Sequence, residues 1–187
     1  QLYAVSDALK ALLKINPRTG VATVIGPLNL AGQNIRQQLD LGLAFSCDGS
    51  LWLSAGNGKF WQVDPATGTT TPVGDLGVKI TGLASNGKQM FGTGSQGNNN
   101  LYLIDTATAQ TTLIGAYGDQ ANYVTTASPG FDASGQLRAI LAYVPPQPGS
   151  TSVPEWSDLA LLDTSSGKLI NTGNITGDAH LQIDFAG

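Results

Sequence analysis

The sequence contains very little glutamate and few charges of either sign. Asp occurs twelve times in the 187 residues and Glu once, at Glu155, while Asp, Glu, Lys and Arg together make up 12% of the chain. Glu, Lys and Arg usually fill the exposed faces of helices, so their scarcity argues against an all-α protein. The one helix-like stretch is 31–39, where Ile35 and Leu39 stand four apart and predict one or two helical turns in a connection.

Cysteine and histidine are equally rare, with one residue of each. Cys47 alone excludes an intrachain disulfide and a cysteine metal cluster. A zinc site built on a single histidine would need carboxylates for its other protein ligands, and no metal-ligand spacing is present. We therefore expect no metal and no cofactor.

Long apolar runs and basic stripes are also missing. No apolar run approaches the roughly 18–20 residues that a membrane span needs, and nine scattered Lys and Arg with a net charge of −4 argue against nucleic acid as a partner. The chain begins at Gln1 inside a strand-like segment, without an initiator Met or a signal sequence. Together with the weakly charged surface, this predicts an extracytoplasmic protein that is periplasmic, secreted or on the cell surface.

Two short matches to catalytic or cofactor motifs do not fit their surroundings. Gly92–Gly97 matches the glycine pattern of dinucleotide-binding loops, but three asparagines and a strand follow it where that site needs a helix. Ser85–Lys88 and Ser165–Lys168 match Ser-x-x-Lys, yet both lie in glycine-containing turns rather than on a helix. Neither match predicts an activity.

The main feature that is present is a fourfold repeat. Each copy has a short apolar strand, then Asn16, Asp64, Asp105 or Asp163, then a Thr- or Ser-containing turn and a second strand that ends near a glycine. Asn and Asp side chains accept hydrogen bonds from backbone groups two or three residues on, which suits a hairpin turn. Since the four Asx residues belong to four separate turns, we expect them to cap those turns and not to converge on calcium.

A second hairpin precedes three of these copies, at 42–56, 81–94 and 129–144. Each block is therefore four short antiparallel strands. The glycines near the block ends are Gly26, Gly74, Gly115 and Gly173, and the steps between them are 48, 41 and 58 residues, which leaves 40 residues for the two chain ends together. The segment 180–187 has the pattern of an innermost strand, and Leu2–Val5 that of a second strand, so the two ends complete one block.

This pattern predicts an all-β, four-bladed β-propeller in a single domain, closed when the C-terminal strand pairs with the N-terminal blade. The predicted blades are 180–187 plus 1–28, 39–76, 78–117 and 125–175. Closure removes the free sheet edges of an open array. The alternatives are a β-sandwich, a fragment of a larger propeller, and two chains that pool their blades.

The repeats resemble those of secreted bacterial β-propellers. The resemblance spans the chain and is carried by Leu13–Gly20, Trp61–Gly68, Leu101–Thr108 and Leu161–Gly167, with Gly42–Phe45 as an innermost strand. It implies the propeller fold and an extracytoplasmic location. Since such propellers include lyases and binding modules, the resemblance implies no defined activity.

Blade topology sorts the loops onto two faces. The first-to-second and third-to-fourth turns are short and share one face, here called the short-turn face. The second-to-third connections and the crossings between blades share the opposite, long-loop face. Binding residues concentrate on loops held by a rigid scaffold, so we expect a ligand-binding surface on the long-loop face. Its candidate residues are Arg36, Tyr117, Asp119, Tyr123, Glu155, Trp156 and Asp178.

The function that the sequence favours is an exported, non-enzymatic binding module for a protein, peptide or glycan. One alternative is a lyase or hydrolase at the mouth of the central channel, with His180 as general acid or base. Asp40 and Asp184, which are predicted on innermost strands, or Glu155 would orient it. Another is a structural or assembly domain that forms a homodimer.

Overall fold

The computed structural model describes residues 2–34, 36–95, 97–118, 124–143 and 156–174. These residues form strands and turns, and no helix occurs among them. The strands are β1 Leu2–Ser6, β2 Ala11–Ile15, β3 Ala22–Pro27, β4 Leu41–Phe45, β5 Leu51–Ala55, β6 Lys59–Val63, β7 Thr70–Asp75, β8 Gly82–Ser85, β9 Met90–Thr93, β10 Asn100–Ile104, β11 Thr111–Ala116, β12 Val124–Phe131, β13 Leu137–Tyr143, β14 Trp156–Leu162 and β15 Leu169–Asn174.

Four antiparallel sheets follow one another in the ring of a four-bladed β-propeller, as the repeat predicted. Blade 1 contains β1–β3, blade 2 contains β4–β7, blade 3 contains β8–β11 and blade 4 contains β12–β15. Consecutive strands pair within each blade, so each blade is a meander. The strand predicted to complete blade 1, 180–187, lies outside the described residues.

Alternation along the third strand of each blade explains how neighbouring blades pack. Successive side chains of a strand point to opposite faces, so Phe60 and Trp61 on β6 face different neighbours. Phe60 packs in a cluster with Met90 and Ile104 of blade 3, and Trp61 packs in a cluster with Leu12 of blade 1. These two aromatic side chains therefore pack against different neighbouring blades.

The outermost strands are joined end to end around the molecule. The residue after each of the outer strands β3, β7 and β11 accepts a hydrogen bond from the start of the next outer strand. The Leu28 carbonyl accepts from the Thr70 amide at 3.2 Å, the Leu76 carbonyl from Thr111 Oγ1 at 3.1 Å, and the Tyr117 carbonyl from the Leu169 amide at 3.0 Å. These contacts tie blade 1 to blade 2, blade 2 to blade 3 and blade 3 to blade 4.

Repeat glycines make this close approach possible. A Cβ atom on Gly26 would lie 2.1 Å from the Thr67 carbonyl oxygen in blade 2, and one on Gly115 would lie 2.1 Å from the Ser166 carbonyl oxygen in blade 4. A side chain has no room at either position. Three of the glycines that mark the repeat, Gly26, Gly74 and Gly115, are thus points where one blade's outer strand lies against the next blade's turn.

The prediction of one or two helical turns at 31–39 was wrong for the residues that the structure describes there, which form turns and bends. Tertiary contacts hold this segment instead. The Leu39 amide donates to Asp7 Oδ2 at 2.8 Å and the Leu39 side chain is buried. A four-residue spacing of apolar residues, as between Ile35 and Leu39, fits a short helix and also fits an irregular connection with one buried anchor.

Candidate functional site

The residues predicted for the long-loop face and for catalysis lie partly within and partly outside the described residues. Arg36 and Tyr117 are described with their side chains, and Trp156 begins β14 but its side chain is not described. The remaining candidates lie outside the described residues: Asp119, Tyr123, Glu155, Asp178, His180 and Asp184. The hypotheses that depend on them, including catalysis by His180, stay predictions. Arg36 is exposed, and its backbone amide donates to Asn34 Oδ1 at 3.1 Å.

Tyr117 is a buried core residue and is not exposed on the long-loop face. Its side chain is 1% exposed, and its hydroxyl donates to the Gly94 carbonyl at 3.1 Å. Burial raises the pKa of this phenol far above its ordinary value. Tyr117 occupies the position of Leu28 and Leu76, two residues after the repeat glycine, which explains why it points inward. Alignment on Gly26, Gly74 and Gly115 would have revealed this from the sequence.

Asp40 precedes the innermost strand β4 and does not lie on it. Its φ is 51°, in the left-handed region that residues other than glycine seldom adopt. Its Oδ1 accepts from Gln38 Nε2 at 3.1 Å. The predicted partners of Asp40 in catalysis, His180 and Asp184, lie outside the described residues.

Many described polar side chains on the long-loop face bind other parts of the same face. Asp7 forms an ion pair with Lys10, whose ammonium also donates to the Gln37 carbonyl at 2.8 Å. Lys59 Nζ donates to Asp75 Oδ2 at 2.9 Å. The Lys10 bonds fasten the β1–β2 connection to the crossing from blade 1 to blade 2, and the Lys59 bond joins β6 to β7 within blade 2, so these charged groups hold the scaffold together.

On the short-turn face, the Asx residues cap their own turns, which confirms the prediction from the repeat. Asp64 Oδ1 accepts from the Ala66 amide at 2.9 Å and Asp105 Oδ1 from the Ala107 amide at 2.9 Å. In blade 4, hydrogen bonds from the Ser166 hydroxyl, the Ser165 hydroxyl and the Ser165 amide lower the pKa of Asp163 to about 2. No group of three or more His, Cys, Asp or Glu side chains among the described residues is placed to hold a metal ion.

A groove of about 630 Å³ opens on the short-turn face where blades 2 and 3 meet. Three segments form it: the β4–β5 turn, the β8–β9 turn and the β10–β11 turn with the start of β11. A second groove of about 310 Å³ occupies the corresponding place in blade 2. The lining residues of the larger groove are Ser46, Cys47, Asp48, Ser85, Gly87, Lys88, Gln89, Met90, Leu103, Ile104, Asp105, Thr106, Gln110 and Thr112.

The larger groove combines apolar residues with polar groups that have no intramolecular partner. Met90 and Ile104 are buried and Leu103 is half-buried. Among the hydrogen bonds of the described residues, none involves the Lys88 ammonium or the Gln89 and Gln110 carboxamides. All three side chains are exposed, so their donors and acceptors are free for a ligand.

The smaller groove in blade 2 has a different chemistry. Gln62 stands there at the register position of Leu103, and its Nε2 lies 3.4 Å from Ser50 Oγ. Ser50 in turn donates to Asp48 through both its hydroxyl and its amide. Gln62 of the smaller groove is therefore bonded to a neighbour, whereas Gln89 and Gln110 of the larger groove are not, although Ser46 and Asp48 of the larger groove bond to each other.

Cys47 lies in the larger groove and is exposed. Its sulfur is so close to Gly87 that a Cβ atom at that position would be 2.2 Å from Sγ. Sequence reasoning placed the ligand surface on the opposite face and missed this groove, because it gave weight to loop length. The larger groove forms between two blades, and Leu103 lies in it at the register position that Gln62 has in the smaller groove. From the sequence, only an alignment of the repeats could have indicated this difference.

Comparison with known proteins supports the fold alone. No protein-family model and no curated protein matches the chain. Among solved structures, the chain is similar to a candidate gluconolactonase, with 18% identity and a TM-score of 0.55. It is also similar to an auxiliary nutrient binding protein from Bacteroides thetaiotaomicron, with 12% identity and a TM-score of 0.54.

These matches cover 89% and 94% of this chain, but only 57% and 38% of the two longer chains. No helix of the described residues is long and apolar enough to cross a membrane.

Proposed function

We propose that this chain is a binding module that holds an extended polypeptide in the larger groove of the short-turn face. The observation that carries the proposal is the set of unpartnered polar side chains over an apolar floor. A peptide backbone offers one donor and one acceptor per residue, and a glutamine carboxamide offers both. Gln89 and Gln110 can therefore bond to a backbone without any charge on the ligand.

The residues that line the groove also favour a peptide over a glycan as the ligand. The described residues that line the groove include no aromatic residue, so they offer no ring face on which the apolar face of a sugar could stack. Its apolar contacts come from aliphatic side chains, which suit the side chains of an extended peptide. The long-loop face that the sequence favours stays a separate prediction, and its test depends on Trp156 and Glu155.

The single cysteine provides a direct test. An environment-sensitive fluorophore attached to Cys47 would lie in the groove, and panels of extended synthetic peptides and of oligosaccharides would be titrated against it. We expect peptides from the panel to change its emission and oligosaccharides to leave it unchanged. Calorimetry on unlabelled protein would give the affinity of each responding peptide.

Matched variants locate the binding. Replacing Gln89 and Gln110 together with Ala removes two hydrogen-bonding groups worth about 0.5–1.5 kcal/mol each, so affinity should fall about 5-fold to 150-fold. The control carries Gln62→Ala and Thr71→Ala in the smaller groove and should bind as the unmodified protein does. The proposal fails if no peptide responds, if oligosaccharides respond instead, or if both double variants bind equally.

A further inference from the structure

Two exposed carboxylates lie on different walls of the larger groove. Asp48 is in the β4–β5 turn of blade 2, and Asp105 is in the β10–β11 turn of blade 3. The hydrogen bond from the Ser46 hydroxyl lowers the pKa of Asp48, and the bond from the Ala107 amide lowers the pKa of Asp105. Both groups are therefore charged at neutral pH.

These two charges are not neutralised within the described part of the chain. The ion pairs found there join other carboxylates to cations: Asp7 to Lys10, Asp75 to Lys59 and Asp132 to Arg138. The lining of the larger groove contains one cation, Lys88, whose ammonium has no partner among the described residues. Two carboxylates and one ammonium give this lining a net negative charge, which attracts a cationic ligand.

The turns themselves do not require a negative charge at these positions. In blade 1 the equivalent of Asp105 is Asn16, whose Oδ1 accepts from the Arg18 amide at 2.9 Å, the same distance as in the Asp105 turn. In blade 3 the equivalent of Asp48 is Asn86, whose Oδ1 accepts from two backbone amides at 3.0 and 2.9 Å. A neutral side-chain oxygen caps both kinds of turn, so the charges of Asp48 and Asp105 are available for a ligand.

We propose that the polypeptide held in the larger groove is basic, and that its Lys or Arg side chains pair with Asp48 and Asp105. This inference rests on the proposed function and specifies the class of ligand. An extended peptide directs alternate side chains to opposite sides, so one segment can place aliphatic residues on the apolar floor and basic residues beside the walls. Lys88 opposes such a ligand, and its removal therefore tests the sign of the interaction.

Calorimetry on the unlabelled full chain tests this charge preference. The probes are synthetic, end-capped peptides of sequence X-Val-Thr-Val-X, with Lys, Gln or Glu at both X positions. We expect the Lys peptide to bind most tightly, the Glu peptide least tightly, and added salt to weaken binding of the Lys peptide. Asp48→Asn and Asp105→Asn should each lower its affinity about 1.4-fold to 5-fold, the range for exposed ion pairs. Lys88→Gln should raise it.

Asp64→Asn is the matched control for Asp105→Asn. Asp64 accepts from the amide two residues further on at 2.9 Å, as Asp105 does, but it lines the smaller groove. Asp64→Asn should therefore leave the affinity for the Lys peptide unchanged. Thermal unfolding of each variant checks that the Asn side chain keeps the turn, as Asn16 does in blade 1.

The outcomes separate this inference from the proposed function. Equal binding of the three peptides, tightest binding of the Glu peptide, or equal affinities of Asp105→Asn and Asp64→Asn for the Lys peptide would overturn the charge preference. If peptides still bound and the Gln89 and Gln110 double variant still weakened them, the proposed function would stand without it. If none of the peptides bound, both would fall.

Discussion

Replacement of Gly26 by alanine tests the idea that close backbone contact between outer strands holds the blades together. Gly26 lies in β3, and an added Cβ would be 2.1 Å from the Thr67 carbonyl oxygen of blade 2. Real Cβ atoms essentially never come within 3.0 Å of another heavy atom in this way. The obstructing atom belongs to the backbone of a turn and cannot swing aside as a flexible side chain could.

The size of the effect follows from that geometry. The two atoms must separate by at least 0.9 Å, the difference between 3.0 Å and 2.1 Å, which displaces the 64–68 turn or the end of β3. Overpacking of this kind costs about 1–3 kcal/mol. Replacing glycine also lowers the conformational entropy of the unfolded chain, which stabilises the folded protein by about 0.4–1 kcal/mol and offsets part of this cost. We expect a net loss of about 1–2 kcal/mol, which in a domain of this size lowers Tm by about 2–8 °C.

Thermal unfolding followed by circular dichroism, together with chemical denaturation, measures this loss. The matched control is Gly130→Ala, because an added Cβ there meets no heavy atom within 4 Å and Gly130 does not have a positive φ. The control should be neutral or slightly stabilising. Equal stability of Gly26→Ala and Gly130→Ala would refute the close-contact reasoning.

Two further predictions concern the turn acids and the buried tyrosine. The folded protein holds the pKa of Asp163 at about 2 against an ordinary 3.8. Between these values the unfolded chain binds more protons, so the free energy of unfolding should fall as pH falls from about 4 to 2, and Asp163→Asn should flatten this dependence in Tm measurements at several pH values. Tyr117→Phe leaves the Gly94 carbonyl without its hydroxyl donor and should cost about 1 kcal/mol in denaturant unfolding. An unchanged pH profile, or a Tyr117→Phe variant as stable as the parent, would contradict these assignments.

The blade organisation could be predicted because its signals are local. Asp64 and Asp105 accept hydrogen bonds from amides only two residues further along the chain. Because both partners lie in the same short turn, the sequence pattern is enough to predict the hydrogen bond. Strand alternation likewise directs the neighbouring residues Phe60 and Trp61 of β6 to opposite faces, where they pack against different blades. The prediction of one or two helical turns at 31–39 failed because contacts with distant residues, such as Asp7, decide that segment.

The candidate site was harder to predict, because it depends on distances between blades. Tyr117 looked like a loop residue with a polar tip, yet its place two residues after Gly115 puts it in the core. The larger groove is lined by short turns, and a prediction that places binding sites on the longest loops misses it. Its character depends on Gln89 and Gln110 lacking internal partners, and partners can be counted only when neighbouring strands are in place.

The sequence by itself determined the all-β class, the four-blade repeat, the Asx-capped turns and the two kinds of loop face. These follow from hydrophobic alternation and turn chemistry, which act over a few residues. Tertiary structure alone decided which glycines are required by contact and which polar groups of the described residues remain unpaired. Those properties arise where residues far apart in the chain meet, so they depend on how completely one blade covers the next.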